Sequence, residues 1–197
     1  MGTTVNGRLE IGAGRKARQS GFTLIEVVVS MAVLTIGLVS LLGVFGLAIS
    51  ATQESQQNMI AKQLANESLE SIITARDTAQ MQWSSIQNVS DGGIFLNGYQ
   101  PMYLPGGDGI LGTADDVASG QYVTITEPGP DGIYGTSDDV KLPLSNYQRQ
   151  IQIQPVTDVN GNIVATLRAI NITVQYYVPR SRFPKTYVLT SFISQFR

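Results

Sequence analysis

Between Phe22 and Ile49 the chain carries one charged residue, Glu26. The apolar run over residues 21–49 reads GFTLIEVVVSMAVLTIGLVSLLGVFGLAI. At 1.5 Å per helical residue, about 20 residues cross a bilayer's hydrocarbon core, so this run is long enough to span one. Arg15, Lys16 and Arg18 precede it, and the polar, helix-prone Ser50-Ala51-Thr52-Gln53-Glu54 follows it. A secretory signal has a shorter apolar region and a small-residue cleavage site after it, and neither is present. A core helix is usually shorter and carries polar residues at helical period. A plain anchor accounts for the length and the basic flank but leaves Glu26 unexplained. A carboxylate within a span costs about 2.5–3.5 kcal/mol on insertion scales and wants a partner.

The residues Gly21-Phe22-Thr23-Leu24-Ile25-Glu26 resemble the processing site of class III signal-sequence proteins: type IV pilins, minor pilins and type II secretion pseudopilins. The resemblance implies that a membrane prepilin peptidase/methyltransferase cuts between Gly21 and Phe22 and methylates the new N-terminus. It implies that Glu26 pairs with the N-terminal amine of a neighbouring subunit during filament assembly. The physics agrees, because an ammonium and a carboxylate attract strongly at low dielectric and each is costly there alone. A narrower likeness over residues 21–76, carried by residues 33–43, points to PilV-type minor pilins. The implied domains are a removed leader at 1–21, a long N-terminal helix at 22–80 with 22–49 in membrane or filament core, and a globular β domain at 81–197. By the positive-inside rule, the basic leader is expected in the cytoplasm and the C-terminal domain on the outer side; the resemblance implies that this domain is periplasmic before assembly into a cell-surface pilus.

The precursor's net charge is −2; four leader cations against Glu10 make the leader +3, so the mature chain stands near −5. This argues against a nucleic-acid-binding surface built on bulk charge, and no nucleic acid is expected as a partner. Arg180, Arg182, Lys185 and Arg197 read as part of a mixed, solvated surface. The 197 residues include no cysteine and no histidine, which excludes a disulfide-stapled loop, cysteine–histidine zinc ligation and Ser-His-Asp or Cys-His catalysis within them. Paired aspartates could serve as acid and base, but the sequence defines no pocket, and the reading is that the chain is not an enzyme.

Residues 50–80 contain neither proline nor glycine. Met59, Ile60, Ala61, Leu64, Ala65, Leu69, Ile72 and Ile73 recur at spacings of three and four, which predicts an amphipathic continuation of the helix to about Ala79, with Glu67, Glu70, Arg76 and Asp77 solvated. Gly37, Gly43 and Gly46 weaken the apolar half. They suit either close helix packing or local unwinding as a subunit enters a filament.

Residues 91–140 accumulate Asp, Gly and Pro and contain a repeat at an offset of 23. DGILGTADDV from Asp108 is matched by DGIYGTSDDV from Asp131, identical at eight of ten positions. The loops at 105–117 and 128–140 each bring three carboxylates and permissive glycines together, a pattern suited to calcium with its oxygen ligands. The spacing is not that of an EF-hand. It resembles the calcium loop of major type II secretion pseudopilins, which would place Asp108, Asp115 and Asp116 in one site and Asp131, Asp138 and Asp139 in another, or all six in a shared one. Calcium would then be structural.

Residues 121–126, 148–154, 163–178 and 187–196 read as strands, with an Asn-Gly turn signal at Asn160-Gly161. The expected fold is α+β: a long helix laid on an antiparallel sheet of about four strands. The functional expectation is a minor pilin, with other pilin subunits as partners. The alternatives are a type II secretion pseudopilin and a filament-tip adhesin or uptake module using Tyr99, Tyr103, Tyr134, Tyr176 and Tyr177.

Overall fold

The computed structural model describes residues 21–178 and 182–196, together with Gly2. The rest of the expected leader, with Arg8, Arg15, Lys16 and Arg18, lies outside the described residues, as do Arg180 and Arg197. The architecture is α+β and pilin-like, with a long N-terminal helix and a C-terminal antiparallel sheet. The chain divides into two compact units, Met1–Ile49 and Ser50–Arg197.

Helix α1 (Leu24–Asp77) belongs partly to each unit. Every one of its residues up to Ile49 is exposed, and the helix is long and apolar enough to cross a membrane. Its hydroxyls bond back along the helix: Thr35 Oγ1 to the Met31 carbonyl at 2.6 Å and Ser40 Oγ to that of Ile36 at 2.8 Å. Hydrocarbon offers such groups no other partner. The helix runs unbroken through Gly37, Gly43 and Gly46, and a Cβ at any of the three would meet nothing within 4 Å.

In the second unit the same helix changes character. Ala61, Leu64, Ala65, Ser68, Ile72 and Ala75 are buried, forming one stripe at spacings of three and four. Ile60, Leu69 and Ile73 flank it, half-buried. Met59 departs from expectation and is exposed, because two residues before Ala61 is about 200° around the helix. Arg76 is half-buried rather than solvated, and donates to the Ser194 carbonyl at 2.9 Å. The helix ends at Asp77, followed by Ala79 in the left-handed region at φ +56. Glycine commonly takes that place at helix C-termini.

The stripe packs on a four-stranded antiparallel sheet in the order β1 (Gln100–Pro101), β4 (Tyr147–Thr157), β5 (Ile163–Tyr176), β6 (Lys185–Ser194). Ile151 and Ile153 on β4, and Ile170, Ile172, Val174 and Tyr176 on β5, alternate inward and are buried as their period demands. Each buried isoleucine stabilises by roughly 1.5–3 kcal/mol. The β4–β5 turn closes at Gly161, φ +84, where the Asp158 carboxylate accepts from the backbone N–H of Asn160 and of Asn162, both at 2.8 Å. The ladder shifts register at Pro155, which has no N–H to give.

The expected strand at 121–126 is not part of this sheet. Strand β2 (Thr124–Glu127) pairs only with β3 (Val140–Pro143), in a separate two-stranded ribbon whose connection is the second aspartate loop. The fourth place in the main sheet is taken by the two-residue β1, a stretch with no periodic pattern to read. Beyond it, Asn88 lines the rest of the β4 edge as a strand would. Its amide donates to the Ile151 carbonyl and accepts from Ile153 N, both at 2.8 Å.

Candidate functional site

The Gly21-Phe22 peptide lies just ahead of α1 in a non-helical stretch, and both residues are exposed. A peptidase can therefore reach this bond without unwinding a helix. Thr23 caps α1: its carbonyl accepts from Val27 N at 3.2 Å and its hydroxyl accepts from Glu26 N at 3.3 Å. The spacing Thr-x-x-Glu is that of a capping box, and a carboxylate in the first turn complements the helix dipole. The bond at this turn is made by the Glu26 backbone N–H, and its exposed side chain is open to a partner.

The two aspartate loops share one internal hydrogen-bond pattern. In the first, Asp108 Oδ1 accepts from Ile110 N at 2.8 Å, Asp115 Oδ2 from Asp108 N at 3.1 Å, and Asp116 Oδ2 from Gly112 N at 2.6 Å. In the second, Asp131 Oδ1 accepts from Ile133 N at 2.9 Å, Asp138 Oδ2 from Asp131 N at 3.4 Å, and Asp139 Oδ2 from Gly135 N at 2.6 Å. Thr113 and Thr136 make the same pair of bonds, each donating to the carbonyl of its loop's isoleucine and closing on Asp115 or Asp138. These threonine bonds are the main reason that the Asp115 and Asp138 carboxyls are held below the usual aspartate range. Gly106 and Gly129 cradle the same carboxylates: a Cβ there would lie 2.1 Å from Asp115 Oδ2 or 2.2 Å from Asp138 Oδ2.

The loops differ in what surrounds them. Ile110 and Leu111 are 4% and 3% exposed, whereas their counterparts Ile133 and Tyr134 are 60% and 68% exposed. Gly112 presses on the core, where a Cβ would meet Ile151 Cδ1 at 2.5 Å; at Gly135 it would meet nothing within 4 Å. The first loop is tied to the domain by Leu111 N donating to Ser71 Oγ at 3.1 Å and by Leu96 N donating to the Gly112 carbonyl at 2.9 Å. It continues into the short helix α2 (Ala114–Ser119), while the second runs directly into β3.

Asp116 is buried and its Oδ1 accepts from Gly106 N at 3.0 Å. Its Oδ2 stands 3.5 Å from Arg149 Nη2, and Arg149 Nη1 donates to Ser68 Oγ at 3.1 Å. Burial pushes the Asp116 carboxyl up, against the pull of its two N–H donors and the guanidinium. Burial also lowers Arg149. The counterpart Asp139 has no such company: its Oδ1 is buried with no hydrogen-bond partner. Sequence reasoning missed Arg149 and Ser68. The available signal was alternation on β4, where Tyr147, Arg149, Ile151 and Ile153 share the inward face. Among the described residues, no group of three or more His, Cys, Asp or Glu side chains is placed to hold a metal ion. Of the five tyrosines considered for a contact surface, Tyr99, Tyr134 and Tyr177 are exposed, Tyr103 is half-buried against Tyr122, and Tyr176 is buried against Tyr147.

An exposed apolar helix, an accessible bond just before it and an acidic first turn, followed by an α+β domain, define a chain with a class III, type IV pilin-like N-terminal signal. Residues 16–42 match the family described as the prokaryotic N-terminal methylation motif. That match supports a protein of the type IV pilin and pseudopilin kind, a structural rather than catalytic family. The motif implies processing by a prepilin peptidase and assembly with other pilins. No curated protein and no solved structure matches the chain.

Proposed function

We propose that this chain is a minor pilin of a type IV pilus, most like the PilV type, cut between Gly21 and Phe22 and methylated at Phe22. Before assembly it is anchored in the inner membrane by the first half of α1 with its α+β domain periplasmic, and afterwards it is part of a surface filament. The observation that carries this reading is the methylation motif lying over an accessible bond and a wholly exposed apolar helix start. Glu26 supplies the docking contact. In the low-dielectric core of a filament it neutralises a neighbouring subunit's N-terminal amine, and each charge offsets the other's desolvation. Repeated head-to-tail contacts of this type build open filaments.

Glu26→Val separates anchoring from docking. Membrane insertion and leader removal should persist while the variant disappears from sheared filaments, as read by immunoblot of membrane and filament fractions. Wild-type levels in filaments would count against the docking role. A role as a type II secretion pseudopilin would give the same N-terminus, and the variant's effect on pilus number against protein secretion distinguishes the two.

Calcium in the aspartate loops is a second reading, favoured by the buried and unpartnered Asp139 Oδ1. Asp131, Asp138 and Asp139 would have to turn from their backbone N–H partners and converge to hold the ion in the second loop. Asp108, Asp115 and Asp116 are the corresponding set in the first, where Arg149 already brings positive charge to Asp116. Calcium should raise the Tm of the detergent-solubilised chain, and Asp115→Ala with Asp138→Ala should abolish the rise. An unchanged Tm with calcium on the parent chain removes this reading.

A further inference from the structure

The chain contains its own control for the second aspartate loop. Both loops share a backbone hydrogen-bond pattern, the same positive-φ glycines (Gly109 at +69 and Gly132 at +70; Gly112 at +93 and Gly135 at +88) and the same glycine cradle. In the first loop this frame delivers Ile110 and Leu111 onto the face of α1. There Ser71 accepts from Leu111 N and donates to the Gly109 carbonyl at 3.4 Å, and Ile110 joins the core with Ile72 and Ala75. In the second loop the same frame holds Ile133 and Tyr134 out in solvent. A turn pinned by its own carboxylates and threonine loses little freedom on docking, and an aromatic beside an aliphatic is the composition of an interface anchor.

We infer that the second loop is a preorganised docking knob, and that Ile133 and Tyr134 insert against an α-helix of a different protein. That helix presents what α1 presents to the first loop: small and aliphatic side chains with a hydroxyl among them. The two exposed carboxylates beside the knob, Asp131 and Asp138, favour a basic rim on that partner and disfavour an anionic lipid surface. A second copy of this chain is a poor host, because the equivalent seat on its α1 is filled by its own first loop. The inference stands on the paired loops and does not require the filament reading.

The test uses the full-length chain in its producing cell, with Tyr134 replaced by the photo-crosslinking p-benzoylphenylalanine. One dominant covalent adduct to a different protein is expected, mapping by mass spectrometry to a helix in that partner. Ile133→Ser should cut its yield about tenfold, the equivalent of about 1.4 kcal/mol, while leaving the Tm of the purified chain unchanged. The same crosslinker at Val159, fully exposed on the β4–β5 turn, serves as the background control. Yields at 134 no higher than at 159, adducts only to lipid or to another copy of this chain, or a Tm that drops with Ile133→Ser would each overturn the inference. An adduct to a partner without a class III signal would support the knob while weighing against the pilin assignment.

Discussion

Residues 105–117 and 128–140 form the same turn twice, and only one of the two is part of the core. Local sequence built both turns, since each carboxylate finds a backbone N–H within its own loop. Tertiary surroundings decided the rest. The first loop has Ser71 on one side and Arg149 beneath Asp116, while the second hangs between β2 and β3. A loop's conformation and its burial are therefore separate properties, and chemically matched substitutions can measure them separately.

The largest contrast is expected at the matched carboxylates. Asp116→Ala removes the acceptor of the Gly106 and Gly112 N–H groups as well as the partner of the buried Arg149, and should cost about 3–5 kcal/mol. Asp139→Ala removes one hydrogen bond and should cost about 1 kcal/mol. Denaturant melts of both variants in detergent check this, and equal losses would break the distinction. Next come the matched isoleucines. Ile110→Ala empties a core position and should cost about 2–5 kcal/mol, whereas Ile133→Ala should stay within about 0.5 kcal/mol.

The smallest contrast is in pH. Asp115 and Asp138 have folded pKa values below the ordinary 3.8. They stabilise the fold above that pH, and the stabilisation is lost as pH falls through 3.8 toward the lowered values. Asp116 is shifted the other way, so its contribution improves as pH falls through its raised value toward 3.8. Tm measured down from neutral pH should rise slightly and then fall, and Asp116→Asn should remove the rise and leave the fall. The difference between the two profiles isolates Asp116, and profiles of the same shape would contradict the opposite signs within one loop.

Much of this architecture was legible from residue pattern. The absence of charge after Glu26 marked the exposed helix, the three-and-four spacing marked the buried stripe, and the alternation at Ile170, Ile172, Val174 and Tyr176 marked the central strand. The N-terminal methylation motif was legible because it is a contiguous run of residues. Other features depended on distant neighbours. A loop identical at eight of ten positions to its twin cannot reveal which copy has a seat. The two-residue β1 is too short for a period, and Ala79 takes a left-handed turn where glycine would be expected. Arg149 was readable only as a break in an apolar alternation whose partner lies 33 residues away.

We propose that the chain enters its role by losing a leader and burying Glu26 against another subunit. Mass spectrometry of the chain's N-terminal peptide from its producing cell tests the first event directly. The expected species begins at Phe22 and carries one methyl group on its amine. A population retaining residues 1–21, or beginning elsewhere, would contradict the account.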